Sequence, residues 1–343
     1  MAAREVYRQQ VALLVRTLPF VAEEACFALK GGTAINLFIR DLPRLSVDID
    51  LTYLPVADRV SSLADIDGAM RRIADRVTAG IPRARVQAGT LHRETAVNKL
   101  VVRTDAVQVK VEVTPVLRGC VYEPEIRAVS PGVEDLFGYA EMHLVSFADL
   151  YAGKIVAALD RQHPRDLFDV RELMAQEGID DALRTAFLVY LMSHNRPMGE
   201  VLRATRKDIA QEFDRGFVGM TEVPATLESL LKAREDLIAE IVGGMPEAHR
   251  AILLSFERGA PDWSLPGLEH AKDLPAIRWR MANLDGLPPK RRAGWRASSP
   301  RSPAWSWFGA SCTNIRIRNA TTRIAMRGVE HRTVNGPSGT NFG

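Results

Sequence analysis

The spacing of apolar residues predicts a first part of the chain that mixes strands and helices and a second part that is helical. Residues 4–27 and 64–79 carry apolar side chains with a period of about 3.6 residues, which indicates two helices. Between them, LKGGTAINLFIRDL predicts the end of a short strand, a Gly-Gly turn and a helix that begins near Thr33. From about residue 180 to residue 286 every periodic segment is helical.

Three segments of the first part alternate apolar and polar residues, as half-buried strands do. They are SVDIDLTYL (46–54), AVNKLVVR (96–103) and AVQVKVEVT (106–114). Side chains along a strand point alternately to its two faces, so Asp48 and Asp50 project to the same side of the first strand. Glu112 lies on the polar face of the third strand.

Helix-end signals organise the second part. Ser146 to Asp149 is a Ser-x-x-Asp sequence, which predicts a capping box and the start of a helix. Pro164 fits the first turn of the next helix, and Gly178 fits its C-terminal end. We therefore predict an α+β protein in which a small mixed sheet with helices is followed by a helical domain.

Charged residues are distributed unevenly along the 343 residues. From Pro288 onwards there are ten Lys and Arg and one acid, whereas the residues before it carry 35 basic and 41 acidic side chains. The same segment holds three of the five tryptophans and has no helical or strand period. We predict that residues 293–343 are a basic, disordered tail; nucleic-acid binding through phosphate neutralisation and stacking is the alternative.

Three features bear on the compartment. The three cysteines are widely spaced, which argues against a disulfide framework or a zinc cluster. No stretch approaches the roughly 18 apolar residues of a membrane span, and the first 30 residues show no signal peptide. We expect a cytoplasmic protein without a membrane association.

The candidate chemistry lies in the first part. Paired carboxylates such as Asp48 and Asp50 are the hard oxygen ligands that Mg²⁺ prefers, together with waters and substrate phosphates. Gly31-Gly32-Thr33 stands at a helix start, where glycines and free N–H groups favour a phosphate. A third acid on a later strand completes the residue types needed for metal-assisted transfer from a nucleoside triphosphate.

Each motif alone has a plainer interpretation. Asp-x-Asp on a strand is commonly an exposed polar face, Gly-Gly-Thr is commonly a turn with a helix cap, and Glu112 beside Lys110 is compatible with a surface charge pair. The order and spacing of all three motifs together favour the site.

A second cluster is predicted across two helices. Asp166 and Asp169 are three residues apart, so they share a helix face, and Lys154 lies on the preceding helix. A short turn would make the two helices antiparallel neighbours, so that Lys154 faces the carboxylates of the cleft and an aspartate holds it. A structural ion pair between the helices is the alternative.

These motifs resemble those of a known family. Gly31-Gly32-Thr33, a spacer and Asp48-x-Asp50 are similar to the first motif of the polymerase-β-like nucleotidyltransferase superfamily. RLSVDIDL (44–51) resembles the Arg-x-Ser-x-Asp-Ile-Asp-Leu of the AbiEii/AbiGii toxins, and Lys154 followed by RDLFD (165–169) resembles their later motif. LPAIRWRMANLDGL (274–287) is similar to their closing segment, so the resemblance covers about residues 10–292.

The resemblance implies a Mg²⁺-dependent nucleotidyltransferase, with two ions expected, that is the toxin of a type IV toxin–antitoxin pair. It would transfer a nucleotidyl group from an NTP to an RNA acceptor such as the tRNA 3′ end, act as a monomer, and have a cognate antitoxin encoded nearby. The metal ligands would be Asp48, Asp50 and Glu112. The nucleotide-binding residues would be Gly31, Gly32, Thr33, Arg44, Ser46 and Lys154, and the catalytic residues Asp48, Asp50, Glu112, Lys154, Asp166 and Asp169.

We expect residues 1–135 to form the nucleotidyltransferase core and residues 136–292 to form a helical domain that completes the cleft. Two alternatives stay open: a small-molecule nucleotidyltransferase of the antibiotic-modifying type, and a non-catalytic nucleotide-binding module of the same fold.

Overall fold

A single mixed sheet of seven strands is built from the first half of the chain. The computed structural model describes residues 3–90 and 95–286. The strands are β1 (Phe27–Lys30), β2 (Asp48–Tyr53), β3 (Arg85–Thr90), β4 (Val97–Arg103), β5 (Gln108–Arg118), β6 (Glu125–Ala128) and β7 (Glu141–Leu144). They lie in the order β3-β4-β5-β2-β1-β7-β6.

Helices pack against the sheet, and after β7 every regular element of the described residues is a helix. Those in the first half are α1 (Ala3–Ala22), α2 (Gly31–Ala34), which continues in a π-helical turn (Ile35–Ile39), α3 (Arg59–Gly80) and α4 (Pro131–Phe137). Then follow α5 (Phe147–Asp160), α6 (Pro164–Gln176), α7 (Asp181–Met192), α8 (Met198–Leu202), α9 (Ala210–Gly216), α10 (Leu227–Leu237) with a π-helical turn (Ile238–Gly243), α11 (Glu247–Glu257) and α12 (Pro275–Asp285). The α+β class is confirmed.

Strand pairing brings charged residues of three strands into one row. β2 pairs antiparallel with β1 and parallel with β5. In this register Asp50 is opposite Lys30 on one side and Glu112 on the other, while Asp48 is opposite Lys110. Residues that are directly opposite on adjacent strands project to the same face of a sheet, so Lys30, Asp50 and Glu112 share a face.

The alternation predicted for β5 is present. Val109, Val111 and Val113 are at most 1% exposed, whereas Lys110 and Glu112 are exposed. Burying one apolar face of the strand leaves its polar face free to form a site, because side chains along a strand alternate between faces.

The predicted first helix ends earlier than expected. α1 stops at Ala22, and the chain turns and enters β1 at Phe27. Glu24, in the turn, is 6% exposed and forms ion pairs with Arg72 and Arg76 of α3. This long-range pairing outweighs the local preference for a longer helix, which the sequence pattern could not show.

Three strands were not predicted. β3 is exposed along most of its length and has no apolar alternation, while β6 and β7 have four residues each. β3 and β6 are the edge strands of the sheet, where one side of the strand is unpaired and little apolar burial is required. Such strands carry a weak hydrophobic signal.

The helix-end signals of the second part are confirmed. The Ser146 hydroxyl accepts a hydrogen bond from the Asp149 backbone N–H at 3.0 Å, and α5 begins at Phe147, directly after Ser146. Pro164 is the first residue of α6, and Gly178 follows the end of α6 with a φ of 74°, the left-handed conformation typical of a helix C-terminus.

Several sequence predictions concern the chain as a whole. Among the described residues no helix is long and apolar enough to cross a membrane. Cys26 and Cys120 are free thiols. The predicted tail, 293–343, lies outside the described residues. The described residues belong to one compact unit, and the predicted division into a core (1–135) and a helical domain (136–292) stays a prediction.

Candidate active site

The Gly-Gly turn allows two polar side chains to lie directly against the backbone. Gly31 has a φ of +75°, and a Cβ at this position would lie 2.7 Å from Asp50 Oδ2. A Cβ at Gly32 would lie 2.6 Å from Arg44 Nη2 and 2.9 Å from Ser46 Oγ. Real Cβ atoms do not approach other atoms so closely, so both positions require glycine for the site to keep this geometry.

Thr33 links the turn to the start of β2. Its side chain is fully buried, and its hydroxyl donates a hydrogen bond to the backbone carbonyl of Asp48. The Thr33 and Ser46 hydroxyls are 3.1 Å apart. The threonine side chain therefore orients the segment that carries the first aspartate, and a direct contact with a nucleotide stays a prediction for it.

Most of the predicted site residues line one cavity of about 160 Å³, called here the central cavity. Asp48, Asp50 and Glu112 contribute carboxylates from two adjacent strands, and five cationic side chains face the same space. The lining residues are Gly32, Arg44, Ser46, Asp48, Asp50, Lys110, Glu112, Lys154, Arg161, Arg165 and Asp166. Gly31, Thr33 and Asp169 lie beside it.

Lys154 joins α5 to α6 at the wall of the central cavity. Its ammonium Nζ lies 2.9 Å from Asp166 Oδ1 and 3.0 Å from Asp169 Oδ2. The lysine side chain is 6% exposed and each aspartate is 1% exposed. The structure thus brings these three residues together, and their part in catalysis stays a prediction.

Asp169 connects this cluster to the loop before β2. Arg44 Nε and Nη2 donate to its two carboxylate oxygens at 2.7 Å and 2.6 Å, in a buried bidentate pair. The amide of Asn36 also donates to Asp169, at 3.2 Å. Asp169 therefore holds both Arg44 and Lys154 in place, because a buried carboxylate is stable only where its oxygens are paired.

The aspartates of α6 are held in the ionised form. Burial alone would raise the pKa of Asp166, but the Lys154 ammonium and the Arg161 guanidinium together outweigh it and hold that pKa far below its usual range. Arg44 and Lys154 likewise outweigh burial and lower the pKa of Asp169.

The pKa of Asp50 is shifted in the opposite direction, above its usual value. Burial raises its pKa, and the nearby carboxylates of Asp48 and Glu112 raise it further, while Lys30 and Lys154 oppose the rise. Burial lowers the pKa of Lys30, against the opposing charge of Asp50. A further cation in the cavity would therefore stabilise the ionised form of Asp50.

The sequence analysis did not identify Lys30, Lys110, Arg161 or Arg165 as site residues. The strand register places Lys30 beside Asp50, and Arg161 pairs with Asp166 from the turn between α5 and α6. Lys30 directly precedes the Gly-Gly turn and Arg165 directly precedes Asp166, so proximity to a motif was the available signal.

The donor set fits a divalent cation that is completed by its substrate. Asp48 and Asp50 face one cavity, and Mg²⁺ is usually held by one or two carboxylates together with phosphates and waters. Among the described residues, no three His, Cys, Asp or Glu side chains are close enough to hold a metal by themselves. Glu112 lies 3.7 Å from Lys99, and its place as a third metal ligand stays a prediction.

Two further cavities adjoin the central one. The large cavity, about 540 Å³, shares Asp50, Lys154 and Arg161 with it and extends between β5, α5 and α7 past Leu150 and Tyr190. The small cavity, about 260 Å³, shares Asp48, Lys110 and Arg165 with the central cavity; it is also lined by Tyr7, Gln10, Val47, Gln108, Gly216 and Met220.

The Gly-Gly turn beside paired strand carboxylates, with a buried lysine from a neighbouring helix, is an arrangement that suits nucleotidyl transfer. The chain belongs to the AbiEii nucleotidyltransferase toxin family of type IV toxin–antitoxin systems: the family model described as "Nucleotidyl transferase AbiEii toxin, Type IV TA system" matches residues 12–283.

A solved structure has the same fold. MenT4, a nucleotidyltransferase toxin from Mycobacterium tuberculosis H37Rv, superposes with a TM-score of 0.58 at 14% sequence identity, over 83% of this chain and 95% of that chain. A search of curated protein sequences gave no match. The family and the fold therefore rest on independent comparisons, one of sequence and one of structure.

Proposed function

We propose that this nucleotidyltransferase toxin uses a nucleoside triphosphate and Mg²⁺ to transfer a nucleotidyl group to an RNA acceptor such as the 3′ end of tRNA. The observation that carries the proposal is the central cavity, in which Asp48 and Asp50 face Lys154 and Arg161. Carboxylates for a cation and cations for phosphate oxygens are the two requirements of such a transfer.

The large cavity suits the triphosphate and its nucleoside. Lys154 and Arg161 line both this cavity and the central one, and Lys30 lines the large cavity beside Asp50. These cations can contact the phosphates, Lys154 as a point charge and Arg161 through its planar fork. Further in, apolar side chains such as Leu150 and the Tyr190 ring provide a surface for a base.

The reaction then follows as an in-line displacement. A hydroxyl oxygen of the acceptor attacks the α-phosphorus, the bond from the α-phosphorus to the oxygen that bridges to the β-phosphorus breaks, and pyrophosphate leaves. Asp48 and Asp50 would hold Mg²⁺, which supplies charge stabilisation at the attacking and leaving oxygens when it is bound. Glu112 lies in the same cavity and is the exposed carboxylate that can accept the hydroxyl proton.

Partners follow from the family. A toxin of a type IV system has a cognate antitoxin, and we propose that its gene lies beside that of this chain. We also propose that the enzyme acts as a monomer, since the Gly-Gly turn, the carboxylates and the cations of the central cavity all come from one chain.

The test is transfer of label from each α-³²P-labelled NTP to total tRNA. We expect the wild-type protein to label RNA only when Mg²⁺ is present. Asp48→Asn should reduce labelling by about 100-fold or more, because it removes a charge from the cation site, and should abolish growth inhibition on expression. Asp105→Asn, which changes an exposed acid outside all three cavities, is the matched control and should behave as wild type.

Full labelling by Asp48→Asn would contradict the assignment of the cation site. Label that appears on a small molecule while tRNA stays unlabelled would replace the RNA acceptor by the antibiotic-type alternative. Melting temperatures of both variants show whether a loss of activity comes from a loss of fold.

A further inference from the structure

The Asp48–Asp50 pair lies at the junction of the three cavities, and each aspartate faces a different neighbour. Asp50 lines the central and large cavities, and Asp48 lines the central and small cavities. The two residues are two positions apart on β2, which separates them by about 7 Å along the strand. The large cavity therefore adjoins the pair at Asp50, and the small cavity adjoins it at Asp48.

We propose that the small cavity binds the terminal nucleotide of the RNA acceptor, with Tyr7 as the surface on which its base stacks and Lys110 and Arg165 as contacts to its backbone phosphates. The inference rests on the proposed function and specifies where its second substrate binds.

Reaction geometry requires two binding sites that flank the reacting phosphorus. In an in-line displacement the attacking and leaving oxygens are on opposite sides of the phosphorus. If the triphosphate occupies the large cavity and reacts in the central one, the acceptor must approach from the Asp48 side. The small cavity adjoins Asp48 on that side.

Size distinguishes the two side cavities. The large cavity has about twice the volume of the small one, and a volume of about 260 Å³ is small for a whole triphosphate. An RNA strand carries one negative charge per nucleotide, and the two cations of the small cavity, Lys110 and Arg165, suit that charge.

The chemistry of the lining matches a single-stranded end. Tyr7 supplies an aromatic ring, and base–aromatic stacking accepts any base because every base has a π-face. Gln10 donates from Nε2 to the backbone carbonyl of Gln108 at 2.9 Å, which fixes the amide at the cavity wall and leaves its Oε1 as an acceptor. Within the part of the chain that the structure describes, the side chains of Lys110 and Arg165 form no ion pair. They are available to phosphates.

The experiment compares two variants of Tyr7 in the full chain. Tyr7→Leu removes the ring while keeping an apolar side chain, and we expect it to raise the KM for tRNA about tenfold, in line with the loss of one stacked base. Tyr7→Phe keeps the ring and should restore the wild-type KM. Neither should change the affinity for a non-hydrolysable NTP, measured by calorimetry. Tyr139→Leu alters an exposed tyrosine that lines none of the three cavities and is the matched control.

Phosphate contact has a separate readout. For Lys110→Gln and Arg165→Gln we expect the slope of log Kd for tRNA against log salt concentration to fall by about 0.7 for each removed contact. A purely structural role would change affinity without changing that slope.

The inference and the proposed function fail in different ways. If wild-type protein labels no RNA, the proposed function is wrong. If wild-type protein labels RNA but Tyr7→Leu keeps a normal KM for tRNA, or if both glutamine variants keep the full salt slope, the small cavity is not the acceptor site. A Tyr7→Leu variant with weakened NTP affinity would place the triphosphate, rather than the RNA, on this side.

Discussion

At the scale of the residue, Gly32 shows how a missing side chain supports the site. The sequence analysis linked this glycine to the approach of phosphates. The structure shows that a Cβ at Gly32 would meet the guanidinium of Arg44, which is 2% exposed and bound to Asp169 through two hydrogen bonds. Arg44 cannot move aside without breaking both of its hydrogen bonds to a buried carboxylate, which is unfavourable. The glycine thus maintains an ion pair that a simple turn would not require.

Lys30 is the residue for which a pH dependence is expected. Burial raises the pKa of Asp50, and Lys30, opposite it in the sheet, opposes the rise. Removing the cation in Lys30→Met raises that pKa further, so a larger fraction of Asp50 is protonated at low pH and cannot bind a cation. The acid limb of the kcat/KM profile should therefore move to higher pH.

Lys232→Met provides the comparison for Lys30→Met. Lys232 is 73% exposed, pairs with Asp236 on the same helix and lines none of the three cavities. The acid limb of the Lys232→Met profile should stay near that of the wild type. An unmoved acid limb in Lys30→Met, measured over about pH 5 to 8 with saturating Mg²⁺, would show that Asp50 does not depend on this lysine.

At the scale of the element, strand direction and one ion network position the candidate catalytic groups. β1 and β7 are parallel neighbours, so the Gly-Gly turn after β1 and the start of α5 after β7 emerge at the same edge of the sheet. The buried aspartates Asp166 and Asp169 then fix α6 to Lys154 of α5 and to Arg44. The network fixes three elements relative to one another without any metal.

Asp166→Asn should destabilise the fold by about 2 kcal/mol at pH 7, because it removes the charge that pairs with the buried Lys154 and with Arg161. The folded-state pKa of Asp166 is lowered, so its stabilisation is present above the unfolded-state pKa of about 3.9 and is lost as the pH falls further. In urea unfolding, the difference between wild type and variant should be constant from about pH 7 to 5 and shrink below about pH 4.

Asp236→Asn is the control for that measurement. Asp236 is 46% exposed and pairs with Lys232 on the same helix, so its removal should cost less than about 0.5 kcal/mol. Equal losses in the two variants would mean that the buried network contributes no more than a surface pair.

At the scale of the whole molecule, the three cavities on which the proposed reaction depends all lie within the described residues. The residues that line the three cavities fall between Tyr7 and Met220, and the family match ends at residue 283. The basic segment at the end of the sequence lies beyond both limits.

A chain that ends at Arg292 should therefore melt within about 2 °C of the full chain and keep its nucleotidyl transfer. The segment 293–343 has no periodic apolar face with which to bury surface, so its removal should cost little stability. Scanning calorimetry and the tRNA-labelling assay measure the two properties. A drop of several degrees, or a rise in the KM for tRNA alone, would show that the segment contributes to the core or to RNA binding, respectively.

The sequence by itself determined the features that depend on neighbouring residues. The alternation of SVDIDLTYL placed Asp48 and Asp50 on one face of a strand, Ser146 and Pro164 marked the starts of α5 and α6, and the spacing of Asp166 and Asp169 placed both on one helix face. These are consequences of backbone geometry, which repeats every two residues in a strand and about every 3.6 in a helix.

Only the tertiary structure decided which of these features meet. Lys30, Asp50 and Glu112 share a row because β1, β2 and β5 are adjacent in one register, and Arg44 meets Asp169 although 125 positions separate them. Tyr7 reaches the Asp48 side of the site from α1, a helix without a recognisable motif. Periodicity along the chain carries no information on strand order or on the packing of distant helices, because long-range burial and charge pairing select these contacts among many that are locally equivalent.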